Sequence, residues 1–473
     1  MSTKTSGQEI KNGNSTIIIF FVISFMLYQF ESLKARGFSA TANRSEERIL
    51  STAARQLNKH TDEFTVDDYQ KVESLSISDP FIEDINSLKK FTNLREFSIE
   101  TWHVTNFKPI VNLPELRKLT IMFMSTSLSG ELTVNYDSVP TFELNILKNS
   151  ANLKKLEIEG MKINDINSLA GLTDLNELAI NVMHVNNFKP LANLKNLQNL
   201  TLSCIEERDF QPSTGRGRLP AIKFTQISNL EPLESLTNLQ KLKLTCMEVN
   251  DINPLSKLTN LRELWISVTG VSNYKPLGNL KSLQSLNFFD RQVRDIEFIS
   301  NFTNLQSLNL NGIPVDDISV IKGLIKLQEL SLSNVNISDI KLLANLTELQ
   351  RLNLYNTKVS DIEPLLNLTT LEMLDLGNTN VTNIWPIYKL TNLQTLKLRA
   401  IQTSYFEPLS TLTNLKDLDV SYTQISDIKP IMKLTNLINL RIHNTYVNDK
   451  QLEELKKALP NLIIISEMGT GRM

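Results

Sequence analysis

One phrase in this chain comes back at a fixed interval. The segment "LNLYNTKVSDIEPLLNLTTLEML", from Leu352 to Leu374, returns 22 residues later as "LDLGNTNVTNIWPIYKLTNLQTL", changed only at certain positions. The residue that opens each L-x-L triplet marks the register. It falls at Leu75, Phe97 and Leu119, at Leu156, Leu178 and Leu200, and then at Leu242 and every 22 residues to Leu462. Two steps are longer, 37 residues from Leu119 to Leu156 and 42 from Leu200 to Leu242. That gives 17 units with insertions at about 125–140 and about 205–224. A period of this length means a solenoid, because each unit is one supersecondary element that cannot bury its apolar side alone.

Spacing within a unit gives its local structure. In "LEMLDLGNTNVTNIWPI", Leu374 and Leu376 alternate with Met373, Asp375 and Gly377, the period of a strand with one buried face. Val381, Ile384 and Ile387 then come every three residues, which suits a short 3₁₀ turn. In several units an Asp opens that turn with Pro three residues on: Asp251 and Pro254, Asp361 and Pro364, Asp427 and Pro430. The carboxylate caps free N–H groups, and Pro is tolerated in a first turn whose N–H groups lack partners. Stacked units share one continuous core, so the expected fold is an α/β solenoid with a parallel sheet on its concave side.

These units resemble leucine-rich repeats of the 22-residue class, and the flanks sharpen the match. "EERILSTAARQLNKHTDEFTVDDYQKVESLSI" (Glu46 to Ile77) is similar to the helical cap of bacterial internalin-type proteins. Ile49, Leu50, Ala53 and Leu57 form an apolar helix stripe, and Thr65 to Asp68 reads as a second helix start. Beyond the last repeats, "DKQLEELKKAL" (Asp449 to Leu459) reads as a capping helix and "NLIII" as a final strand. The resemblance implies a leucine-rich-repeat horseshoe with a cap at 45–74, a solenoid over 75–466 and a tail at 467–473. It also implies a non-enzymatic module that binds a protein on its concave face, with no cofactor. The alternative is an intracellular scaffold, similar to the cytosolic 22-residue-repeat regulators of phosphatases. The family's usual Asn five residues past the landmark is Thr at 357, 379, 423 and 445, and Met at 161, 183 and 247. A Thr hydroxyl can satisfy loop backbone groups and Met cannot, so the backbone ladder is expected to be less regular in the first half.

The first 44 residues are of another kind. Ser15 to Phe30 carries a mostly apolar run after Lys4 and Lys11, too short for a membrane span but suited to a signal-peptide core. Residues 1–44 are therefore expected to act as an export signal or membrane anchor with a linker, placing the protein at the cell surface or outside the cell. No cell-wall sorting signal is present, which argues against wall anchorage. The net charge of −2 argues against bulk attraction to nucleic acid. The four histidines sit in different units without ligand spacing, and no phosphate-binding loop, nucleophile elbow or zinc-protease motif occurs.

Both cysteines lie four residues past a landmark, Cys204 after Leu200 and Cys246 after Leu242, in consecutive units. Neighbouring strands stand about 5 Å apart, inside the Cα separation a disulfide needs. A bridge would staple the second insertion. The alternative is two small hydrophobes, like Val182 and Val268 at the same repeat position.

Outward positions on each strand lie one before, one after and three after the landmark. Most carry small polar or charged residues, as a solvated face would. Trp265 and Phe289 break that pattern on consecutive strands, with Lys241 and Lys243 one strand earlier. The second insertion adds Arg208, Arg216 and Arg218. Aromatic and cationic side chains anchor protein interfaces, which makes this cluster the first candidate site. Tyr355, Arg399 and His443 form a looser second one.

Overall fold

The computed structural model describes residues 42–79, 81–124, 139–181, 185, 187–203, 225–226 and 229–466. Each unit starts with a strand whose alternate side chains are buried. In the unit at Leu374, the landmark, Leu376, Val381, Ile384, Ile387, Leu390 and Leu393 are all fully buried. Repeated along the chain, this frame makes one unbroken core from Ile49 to Leu462. All described strand pairings are parallel, and all but two hold landmark against landmark: Leu75 beside Phe97, Phe97 beside Leu119, and Leu119 beside Leu156 across the first insertion. The strands are β1 (Ser74–Ser78), β2 (Glu96–Thr101), β3 (Lys118–Phe123), β4 (Lys155–Glu159), β5 (Glu177–Asn181) and β6 (Asn199–Ser203). A two-residue β7 (Thr225–Gln226) precedes β8 (Lys241–Glu248), β9 (Glu263–Thr269) and β10 (Ser285–Phe289). Seven strands of three residues follow, from β11 (Ser307–Asn309) to β17 (Asn439–Arg441), before β18 (Ile463–Ile465).

Two details depart from the regular register. β7 is an additional strand, pairing with the far end of β8 along the edge where β6 holds the near end. The last landmark is Ile464 rather than Leu462, since Ile464 stands opposite Leu440. The connection there holds a ten-residue helix (Asp449–Ala458), capped by Asn448 and Gln451, in place of a 3₁₀ turn. A full helix needs two more residues of chain than the turn it replaces.

The change from longer to three-residue strands has a local cause. From β11 onward the fourth residue past the landmark is left-handed: Gly312, Asn334, Asn356, Asn378, Ala400, Tyr422 and Asn444 have φ between 49° and 68°. A strand cannot continue through that conformation, which Gly and Asn adopt at least cost. Thr at the next position closes the turn. Thr357, Thr379 and Thr423 donate their hydroxyls to the carbonyls of Leu354, Leu376 and Val420 at 2.8, 2.6 and 2.6 Å. Where Met stands instead, Met161 and Met247 are buried as core residues, and a bulge interrupts β8 between Thr245 and Met247. The ladder expected to be less regular in the first half runs in register from β1 to β6, and the shift lies in β8 alone among the described pairings.

The turns between strands are mostly 3₁₀ (the one at Lys429–Met432 is a short α-helical turn), and the capping carboxylate sits one residue further out than the N-cap. Asp251, Asp361 and Asp427 each accept the N–H two residues on, at 2.8 to 2.9 Å. Asn106, Asn187 and Asn273 do the same in other units.

The N-terminal cap opens with a helix, α1 (Ala42–Gln56), that buries Ile49 and Ala53. The segment at Thr65 is a six-residue 3₁₀ helix, Val66–Lys71. Its keystone is Asp68, fully buried, which takes the Lys59 ammonium at 2.6 Å, the Lys71 ammonium at 2.9 Å, and the Thr65 N–H and hydroxyl at 2.8 Å each. The Lys59 ammonium first, then Lys71 and the Thr65 N–H, hold its carboxyl well below the usual carboxylate range. A depressed folded pKa stabilises the fold above the unfolded value and loses that contribution as pH falls towards the folded one. Asp68→Asn should therefore unfold at lower temperature than the parent at neutral pH. The gap should shrink as pH drops below the ordinary carboxylate range. A gap that stays the same down to strongly acidic pH would contradict this role.

Candidate functional site

Strand alternation decides what faces the concave side. Leu264 and Ile266 of β9, and Leu286 and Phe288 of β10, point into the core, which turns Trp265 and Phe289 outward. They remain 47% and 40% exposed, large apolar rings on a face made mostly of polar and charged side chains. Trp265 is in register with Lys243 on β8 and Asn287 on β10, while Phe289 stands opposite Ser267, two residues further along the strands. The two rings are thus diagonal neighbours.

Each ring carries a cation. The Lys243 ammonium lies 4.5 Å from the Trp265 ring centre, and the Arg291 guanidinium 5.8 Å from that of Phe289. Ring faces are the negative end of an aromatic quadrupole, so both cations are held by attraction. Lys241 is bound to Glu263 at 2.7 Å. On the Trp265 side lies a groove of about 250 Å³ lined by Thr201, Lys243, Glu263 and Trp265, with Leu200, Leu242 and Leu264 at its base.

The turn under Phe289 is pinned from inside. Asp290 and Tyr274 are both buried, and the Tyr274 hydroxyl donates to Asp290 Oδ2 at 2.7 Å. Asp290 Oδ1 accepts the Gln292 N–H at 2.8 Å. Burial, and then this hydrogen bond, push the Tyr274 phenol far above its usual range, so it stays a donor. Tyr274 packs edge-on against Phe288 and stacks on Phe298. Phe289 and Arg291 flank the anchored Asp290, which fixes where they point. On the other side, the Phe289 ring lies against Gly312, where a Cβ would meet Cε2 at 3.6 Å. Arg291 was not legible as a site residue, because it stands in the turn rather than at an outward strand position.

Tyr355 and Arg399 are not brought side by side. Gly377 stands between them in the same column, and the Tyr355 ring comes within 3.0 Å of where a Gly377 Cβ would be. Arg399 stacks 4.3 Å over the Tyr422 ring. His443 lies at the edge of this region, with a buried Nδ1 that has no hydrogen-bond partner. Asp375 and Asp419 share the concave face yet are buried, folded back onto the N–H groups of Gly377 and Ser421.

Arg208, Arg216 and Arg218 lie outside the described residues, as do Cys204, the apolar run at 15–30 and the tail. The Cys204–Cys246 pairing therefore lies outside them too; the described register between β6 and β8 runs from Asn199 opposite Lys241 to Leu202 opposite Leu244. No described helix is long and apolar enough to cross a membrane. Among the described residues, no group of three or more His, Cys, Asp and Glu side chains could hold a metal ion.

A family model described as "Leucine Rich repeats (2 copies)" matches residues 281–323 and 325–367. Among solved structures, a leucine-rich-repeat protein of Leptospira interrogans is 21% identical over 85% of this chain and 97% of its own, with a TM-score of 0.64. Internalin C2 of Listeria monocytogenes is 31% identical over 41% of this chain and 83% of its own, with a TM-score of 0.37. The ectodomain of a plant membrane receptor kinase from Arabidopsis thaliana, in complex with Casparian strip integrity factor 2, is 16% identical. That match covers 85% of this chain and 56% of the ectodomain, with a TM-score of 0.51. No curated protein matches the chain. Repeat period, parallel sheet and repeat-model match agree: the chain folds as a leucine-rich-repeat solenoid, similar in fold to the bacterial leucine-rich-repeat protein of Leptospira. Its fold is one typically used to bind other proteins.

Proposed function

We propose that this chain is a non-enzymatic binding module that grips a protein partner on its concave sheet around Trp265 and Phe289. The observation that carries the reading is the pair of exposed rings, each with a cation over it, beside a groove whose lining mixes leucines with polar side chains. Interface anchors have this character: aromatic side chains with Arg or Lys, pre-positioned so that little side-chain entropy is lost on binding. Lys241, Lys243 and the insertion residues Arg216 and Arg218 would form the charged surround, steering approach more than holding the complex. Tyr355 and Arg399 would extend the contact along the same face. The Arabidopsis ectodomain, a fold-level neighbour, was solved with its factor bound, which supports a protein or peptide ligand here.

Export or surface tethering through residues 15–30 belongs to the same proposal. A crosslinking pull-down with residues 45–466 as bait should capture a partner that the Trp265→Ala, Phe289→Ala double variant fails to capture. Recovery of the same proteins in the same yield with both baits would reject the site. Fractionating the native protein should place it with membranes or secreted material. Recovery in the cytosol alone would favour the scaffold reading.

A further inference from the structure

A second groove, of 790 Å³, runs along the rim where the strands begin, and it differs from the concave site in chemistry. Two ladders of side chains line it, one rung per repeat. The inner ladder holds Gln198, Gln240, Gln284 and Gln306, interrupted by Arg262. The outer ladder is mostly Asn, and each of these asparagines already spends one of its two amide N–H donors. Asn196, Asn238 and Asn260 each give Nδ2 to a backbone carbonyl of the preceding unit, that of Thr173, Lys195 and Thr237, at 2.9 to 3.1 Å. Their carbonyl oxygens are left as acceptors. The four glutamines make no side-chain hydrogen bond within the described residues, so both their donors and their acceptors face the groove.

The only charged residues that line this groove are Arg262 and Lys326, both cations. Lys195 and Lys281 stand just outside the Asn row, exposed. No carboxylate and no apolar side chain lines it among the described residues. A peptide would find no pocket for its side chains there. A ligand that is hydroxylated all along its length, and anionic, would find a partner at every rung. Primary amides pair with vicinal hydroxyls, since both groups donate and accept. The rungs are spaced as parallel strands, about 4.8 Å apart, comparable to the advance of one sugar ring in a β-linked chain.

We propose that the amide ladder at the strand-entry rim, centred on Gln240, Arg262 and Gln284, is a binding track for a linear anionic polysaccharide, separate from the protein-binding face. The test uses the full chain with a hyaluronan oligosaccharide, which is β-linked with one carboxylate per disaccharide, followed by calorimetry. Binding should be saturable. Gln240→Glu with Arg262→Glu should weaken it by about tenfold or more, while Trp265→Ala leaves it unchanged. The neutral substitution Gln284→Ala should weaken it by a smaller factor, which a purely ionic attraction would not show. Circular dichroism melts must show each variant folded; if the double variant is not, Gln284→Ala paired with Gln306→Ala carries the test. Absence of binding would overturn the proposal, as would binding indifferent to these substitutions. Poly-glutamate binding as tightly as the glycan would also overturn it, by showing that charge alone is recognised.

Discussion

Replacing Trp265 with alanine should weaken binding of the concave-face partner about thirtyfold, a loss of about 2 kcal/mol, and leave the fold intact. The ring is 47% exposed and rests on the Lys243 ammonium rather than in the core, so truncation opens no cavity beneath the sheet. Thermal stability should therefore move by less than about 1 kcal/mol. Phe289→Ala should act in the same direction, with more effect on stability, because its ring also lies against Gly312. Thr395→Ala, on the polar stretch of the same face several strands away, is the control and should change neither property. The measurement is a titration of captured partner against parent and variants, with melting curves alongside. If Trp265→Ala unfolds the protein, the residue is structural and the site assignment fails.

Gly160→Ala should be the most damaging single methyl in the described solenoid, costing about 3 kcal/mol or more. Gly160 has φ of +72°, and a Cβ there would stand 2.0 Å from the backbone carbonyl oxygen of Phe123. No rotamer relieves such a contact, since both atoms are fixed by the backbone. β3 and β4 would have to separate where the first insertion leaves the sheet. Gly171→Ala is the matched control: it ends an exposed turn, and an added Cβ meets nothing within 4 Å. That change should be neutral or slightly stabilising, by less than about 1 kcal/mol. Chemical denaturation of the two variants checks the pair, and a Gly160→Ala protein as stable as its parent would mean that the turn is wrongly placed.

Most of the architecture was legible because it rests on periodicity. Leucines 22 residues apart specify strand after strand in register, and the stripe at Ile49, Ala53 and Leu57 specifies the cap. What escaped the sequence depends on contacts between units. The shift of the last landmark to Ile464 follows from how a full helix packs over the open end, and the L-x-L count has no knowledge of that. β7 pairs with the stretch of β8 beyond the one that β6 pairs with, a contact that no repeat period announces. Within the candidate site, alternation correctly turned Trp265 and Phe289 outward. It gave Asp375 and Asp419 the same outward standing, although their carboxylates fold back to end their own strands. It also presented Lys241 and Lys243 as equivalent, whereas Glu263 claims the first and the Trp265 ring faces the second. Arg291 was missed because its position follows from the buried bond between Tyr274 and Asp290, sixteen residues apart in sequence.

The central claim is that a protein partner is held on the concave face beside Trp265. It is tested most directly by a photo-crosslinking residue placed at Asn287, which stands opposite Trp265 on the next strand. The same residue at Lys322, exposed on the outer turn Ser319–Gly323, serves as the comparison. Irradiation in the native setting should join a single partner to the Asn287 protein and not to the Lys322 protein, and Trp265→Ala should abolish that product. Equal crosslinking from Lys322, or a product at Asn287 that survives the loss of Trp265, would contradict the account.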